Sequence, residues 1–173
     1  MAGLLDVLER QIAVFREGEY PDYEIIEAVV DYCLTYPDLC HHPKEDLVYQ
    51  ALRETDPEAA ESIGDLLADH RELATLTRRF ADAVQQVLQE SRMPRESFAN
   101  LATGFIDAYR RHMEMEETLF FPAALRSIGE TDWAEIDARV SDRDDPLFGV
   151  MVEQRFQALR DDILSFGGAT TAT

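Results

Sequence analysis

The chain has 173 residues, 46% of them apolar and 29% charged, with 35 acidic side chains against 16 basic ones and a formal net charge of −19. That length suits one domain with a sizeable core. The charge excludes nucleic acid, whose phosphates need a basic surface, and anionic membrane surfaces, and no apolar run is long enough to span a bilayer.

The periodicity is helical nearly throughout. A first helix is predicted over 3–17, with Leu5, Leu8, Ile12 and Phe15 on one stripe and Gly18 and Pro21 ending it. A second runs from about 22 to 53 and carries Val30, Leu34, Val48 and Leu52. Pro37 and Pro43 predict a kink there, or two shorter helices meeting near residue 40. Asp56-Pro57 opens a third helix, to about 91, whose stripe is Ile63, Leu66, His70, Leu73, Thr77, Phe80, Val84 and Val87. Pro94 opens a fourth, to about 127, with Leu101, Phe105, Ala108, His112, Met115 and Leu119 facing inward. Thr131 is placed as the cap of a short helix over 132–141, Asp144-Asp145-Pro146 as a turn, and 149–166 as an amphipathic helix with Val152, Phe156, Leu159, Ile163 and Phe166.

The expected fold is therefore all-α: an up-down-up-down four-helix bundle over 1–128. A helical extension follows over 129–166, packed on the bundle or at the seam of a homodimer, and 167–173 is a disordered tail. The segment MAGLLDVLERQ has neither the basic start nor the cleavage site of a secretory signal. Cys33 and Cys40, on one helix, would lie about 10 Å apart along its axis, too far for a disulfide. Unpaired thiols fit the cytoplasm.

The chemistry concentrates on histidines. His41 and Glu45 are four apart, as are His112 and Glu116, and residues at that spacing share a helix face. His70 sits in the apolar stripe of the helix between them. HHPKEDLVYQ and HMEMEETLFF also align at an offset of 71 residues, matching His41 with His112, Glu45 with Glu116 and Tyr49 with Phe120. A lone core histidine is ordinarily hydrogen-bonded, and one such His/Glu pair is ordinarily a solvated surface pair. Two pairs plus a third imidazole on consecutive bundle helices point instead to a metal site. Three imidazoles with two carboxylates suit iron, manganese or zinc, and glutamates from two helices can bridge a pair of ions. A divalent cation also removes the cost of burying two carboxylates. His42, about 100° around the helix from His41, is read as a surface or flanking residue, and Asp46 and Glu117 either as the solvated flank or as hydrogen-bonding partners of a ligand imidazole.

The stretches HHPKED at 41–46, DHREL at 69–73 and RHMEMEETLFFPA at 111–123 resemble the hemerythrin-like, or HHE cation-binding, domain family over roughly residues 4–127. The resemblance implies a four-helix bundle around non-haem iron. His41, His70 and His112 would be terminal ligands, with Glu45 and Glu116 as bridging carboxylates. It implies two iron ions; a single ion, and manganese or zinc, are the alternatives that the residues themselves leave open. The small-molecule partner is then a diatomic such as O2 or NO, bound or sensed, or the protein handles iron. An oxidoreductase acting on peroxide or NO, with Tyr49, Tyr109 or Glu117 as proton donor, and a metal-free helical interaction module are the competing functions. The family pattern also has a His on the first helix, whereas this sequence has none before position 41. Either the true start lies upstream or a ligand has been lost, and five ligands leave one metal position open or empty.

Overall fold

In the computed structural model, which describes residues 1–89, 93–143 and 157–165, every regular element is helical. The elements are α1 (Ala2–Arg16), α2 (Tyr23–Tyr36), α3 (His42–Thr55), α4 (Pro57–Ile63), α5 (Leu66–Leu88), α6 (Arg95–Met115), α7 (Phe121–Ser127), α8 (Glu130–Arg143) and α9 at 157–165. Neither predicted proline interruption breaks the chain direction. A π turn over Pro37–His41 joins α2 to α3, and a second over Glu116–Phe120 joins α6 to α7. Pro37 and Pro43 both fall within the first turn of the segment that follows, where a missing N–H leaves no bond unmade.

The third predicted helix is two helices. Gly64 takes φ +90°, a conformation that other residues rarely adopt, and α4 stops there. Asp65 then starts α5 by accepting the Ala68 N–H at 3.0 Å, as Asp22 does for α2 with the N–H groups of Glu24 and Ile25. The helix expected from Thr131 begins earlier, at Glu130. Its opening bond is the Gly129 N–H donating to the Asp132 carboxylate at 3.3 Å, so Thr131 lies inside it.

α1 packs on α2 and α6, and α5 packs on α2 and α6, so these four helices close a ring. Two apolar clusters fill it. The larger contains Leu8, Ile26, Cys33, Leu73, Phe80, Phe105 and Tyr109. The smaller contains Leu47, Leu52, Leu66, Phe120 and Ile136. Along each of three strands of the ring the chain passes from one cluster to the other: between Cys33 and Leu47, between Leu73 and Leu66, and between Tyr109 and Phe120. The histidines and glutamates of the sequence motifs lie in just those three intervals.

Leu119, expected inside, is 47% exposed, while Phe120 is fully buried. The π turn is the reason. Its i→i+5 bonding places one more residue in the turn than an α-helix does, so the buried face runs His112, Glu116, Phe120 rather than passing through Leu119. In α9, Ile163 is buried and Leu159 packs on the larger cluster, while Leu164 lies against Gly3 of α1. The predicted Asp144-Asp145-Pro146 turn, the positions Val152, Phe156 and Phe166, the end of the third helix at 90–91 and the tail all lie outside the described residues. Among the described residues no helix is long and apolar enough to cross a membrane.

Candidate metal centre

Between the two apolar clusters lies a polar layer. His42, Glu45, His70, His112 and Glu116 are all buried, and His41 is partly so. The spacing of four works as expected on both helices: His41 Nε2 lies 3.3 Å from Glu45 Oε1, and His112 Nε2 lies 2.7 Å from Glu116 Oε1. His70 reaches across from α5, its Nε2 3.6 Å from Glu45 Oε2. The five residues singled out by the sequence therefore come together.

The surface reading of His42 does not hold. Its side chain is buried, its ring is stacked on His70 at 4.0 Å between centroids and 9° between planes, and His112 stands edge-on to it at 5.7 Å. The signal was present in the spacing. Glu45 has His41 at i−4 and His42 at i−3, and both positions neighbour it on a helix surface. An angle of 100° measured from His41 alone hides this, because the ligand face is centred on the glutamate.

Ligand-type atoms converge in two groups, each with all its atoms within 4.8 Å of one another: His42, Glu45, His70 and His112 in one, and His41, Glu45 and Glu116 in the other. Glu45 belongs to both. α1 contributes to neither. The offset repeat survives as two His-x3-Glu pairs and as Tyr49 meeting Phe120 edge-on at 6.2 Å. It does not produce two equal halves, because the first group takes an extra imidazole from the His41-His42 doublet.

The layer is costly without a cation. Both oxygens of Glu45, His70 Nε2, His112 Nε2 and Glu116 Oε1 are buried without an aligned hydrogen bond. The 2.7 Å separation of His112 and Glu116 is close, but the oxygen lies off the N–H axis. Lone pairs that crowd one point without facing each other are what a metal ion satisfies, and unmet buried polar atoms otherwise cost about 1–3 kcal/mol each. Electrostatics agree. Burial, and then the neighbouring Glu116 charge, push the Glu45 carboxyl far above the carboxylate range. Glu116 is held low, with burial opposed by its contact with His112 and by His41. Burial lowers His41 and His70, and burial together with the neighbouring imidazoles lowers His42 to about 2, so these rings are neutral and able to donate lone pairs. The donor set thus fits a divalent cation.

One supporting contact is in place. Asp46 Oδ1 accepts from His70 Nδ1 at 2.7 Å, which fixes the tautomer that leaves Nε2 for the centre. Glu117, the other candidate, is exposed. Tyr49 donates to the Gly64 carbonyl, and the Tyr109 hydroxyl is engaged with Thr77 at 3.0 Å.

This geometry has a counterpart among known families. The hemerythrin HHE cation binding domain matches residues 1–124, the span that holds every residue of both groups. The chain belongs to the hemerythrin HHE cation-binding domain family. No curated protein and no solved structure matches it. In this hemerythrin-type domain the buried His/Glu layer is the candidate cation site, and its ligand-type residues come from the α2–α3, α5 and α6–α7 segments.

Proposed function

We propose that the protein is a cytoplasmic non-haem iron protein, an up-down-up-down bundle that holds two iron ions and binds or senses a small diatomic ligand such as O2 or NO. The observation that carries this reading is the sharing of Glu45 between two convergent ligand groups. A carboxylate with both oxygens buried and no aligned hydrogen bond is suited to link two cations. Iron, when bound, supplies the redox couple and the affinity for the diatomic ligand.

The protein's own residues do the rest. Asp46 orients His70, and the apolar clusters above and below the layer keep bulk water away from it. Binding or sensing is favoured over turnover of peroxide or NO because the Tyr49 and Tyr109 hydroxyls are engaged with Gly64 and Thr77 and Glu117 is exposed, so no one of these candidates is singled out as a proton donor. Cys33 and Cys40 both keep the thiol form, which suits a reducing compartment.

The test is anaerobic loading of untagged protein with ferrous iron, followed by desalting and metal analysis. About two ions per chain are expected for the wild type. Glu116→Ala leaves the four-residue group whole and retains about one, whereas Glu45→Ala removes the residue common to both groups and retains almost none. Wild-type protein that emerges free of iron, or Glu45→Ala with undiminished stoichiometry, would refute the assignment.

A further inference from the structure

Three approaches lead from the surface to the polar layer, and they differ in charge. Between α5 and α6 lies a cavity of about 240 Å³, with the buried Leu73 and His112 and the half-buried Ala108 in its lining. Asp69, Glu72 and Arg111 line it too, and all three are exposed, so they mark its outer end. A wider groove of about 500 Å³ meets the layer at His42 and His70. It carries Arg71 and Arg78 against one carboxylate, Asp46, which already accepts from His70. The third approach is at His41, whose side chain is 43% exposed and whose ring lies 6.1 Å from that of Tyr36.

His112 stands between the first cavity and the layer. Its ring lines the cavity, while its Nε2 lies 2.7 Å from Glu116 Oε1. The residue is 8% exposed, and among the described residues its Nδ1 has no hydrogen-bond partner. His70 is the contrast, since Asp46 holds its Nδ1 and fixes the ring from behind. No such bond holds the His112 ring, and a buried nitrogen left unmatched beside a cavity is a place for a ligand atom or an ion. The charge at the mouth selects which. Among the described residues Asp69 and Glu72 enter no ion pair, and two carboxylates against the single Arg111 guanidinium leave the cavity net negative. A cleft lined mainly by one sign of charge concentrates the opposite ion and speeds its arrival. The arginine-lined groove does the reverse for a cation.

We propose that the cavity between α5 and α6 is the port through which a divalent cation enters and leaves the layer. Asp69 and Glu72 draw the ion in from solvent, Arg111 opposes them, and His112 is the ring that the ion must pass to reach Glu116. The inference rests on the reading of the layer as a cation site and adds the route to it. Entry and exit share one passage, so a change at its mouth slows uptake and release alike and leaves the equilibrium constant nearly unchanged. Loss of a ligand does something different, because it speeds release and weakens affinity.

The experiment mixes the full metal-free chain with cobaltous ion in a stopped-flow instrument and follows the visible absorption of bound cobalt. Release is measured on transfer into EDTA, at concentrations where the rate no longer depends on the chelator, and the final stoichiometry and affinity are recorded separately. Asp69→Asn with Glu72→Gln is expected to slow both uptake and release by about tenfold at low salt, at wild-type stoichiometry and affinity, with the gap closing as salt is added. Arg111→Gln should speed uptake, and Ala108→Leu, which narrows the cavity, should slow both directions. Asp82→Asn with Glu96→Gln removes the same charge from the same two helices about 20 Å away along them, and should behave as wild type. The port is overturned, with the metal site left standing, if the Asp69/Glu72 variant takes up cobalt as fast as the wild type. It is equally overturned if that variant loses affinity through faster release alone, if the Asp82/Glu96 variant is slowed as much, or if Arg111→Gln is slower. Wild-type protein that binds no cobalt overturns both readings.

Discussion

Replacing Glu45 by glutamine tests the cation site without any metal present. The folded-state pKa of Glu45 is raised from 4.5 to above neutral, first by burial and then by the Glu116 charge. A raised carboxyl contributes its full stability below its unfolded pKa and loses it as pH climbs toward the folded value, because the folded state must retain a proton that the unfolded chain has released. At pH 7 that retention costs 2.303RT times the difference between 7 and 4.5, about 3 kcal/mol, and the figure holds for any folded pKa above 7. Glutamine has the shape of the neutral acid and no proton to lose. Metal-free Glu45→Gln is therefore expected to be the more stable protein at pH 7, by up to about 3 kcal/mol, or roughly 6–12 °C in melting temperature for a domain of this size. The difference vanishes as pH approaches 4.5. The lowered pKa values of His41, His42 and His70 act in the opposite sense, removing stability as pH falls below 6.5, but they are common to both proteins and cancel in the difference. Thermal melts of both metal-free proteins between pH 5 and pH 8.5 give the profile. Ferrous iron should then reverse the order, since a ligand that binds only the folded wild type stabilises it. A difference that stays flat with pH, or a glutamine variant less stable at pH 8, would show that Glu45 carries no such burden.

The stacked position of His42 predicts that His42→Ala lowers iron affinity at least about tenfold, measured by competition with a chelator, with unchanged affinity counting against a ligand role. Asp46→Asn exchanges the acceptor of the His70 N–H for an amide, and about a 10–100-fold loss of iron affinity is expected with the fold preserved by circular dichroism. Phase across the second π turn is tested by a pair of neighbours: Phe120→Ala should cost about 3–5 kcal/mol in urea denaturation, while Leu119→Asp on the exposed side stays within about 0.5 kcal/mol. Equal effects at the two positions would mean that the helix is not shifted there.

Much of this protein is legible in its sequence. The stripes of α1 and α5, the capping role of Asp56, the helical character of the chain and the convergence of His41, Glu45, His70, His112 and Glu116 all follow from local rules of spacing, since residues four apart on a helix meet whatever surrounds them. A candidate metal site follows too, once three such positions lie on neighbouring helices. What the sequence could not decide is phase. Gly64 and Asp65 divide a helix that periodicity reads as continuous, and the π turn over Glu116–Phe120 slips the buried face by a residue, moving Leu119 out. A π turn is stable only where packing on other helices holds its longer loop of hydrogen bonds, so nothing in the adjacent residues announces it. The tertiary structure alone thus decided that the His42 ring packs on His70 and His112, that Glu45 lies between two ligand groups, and that Tyr36 reaches His41.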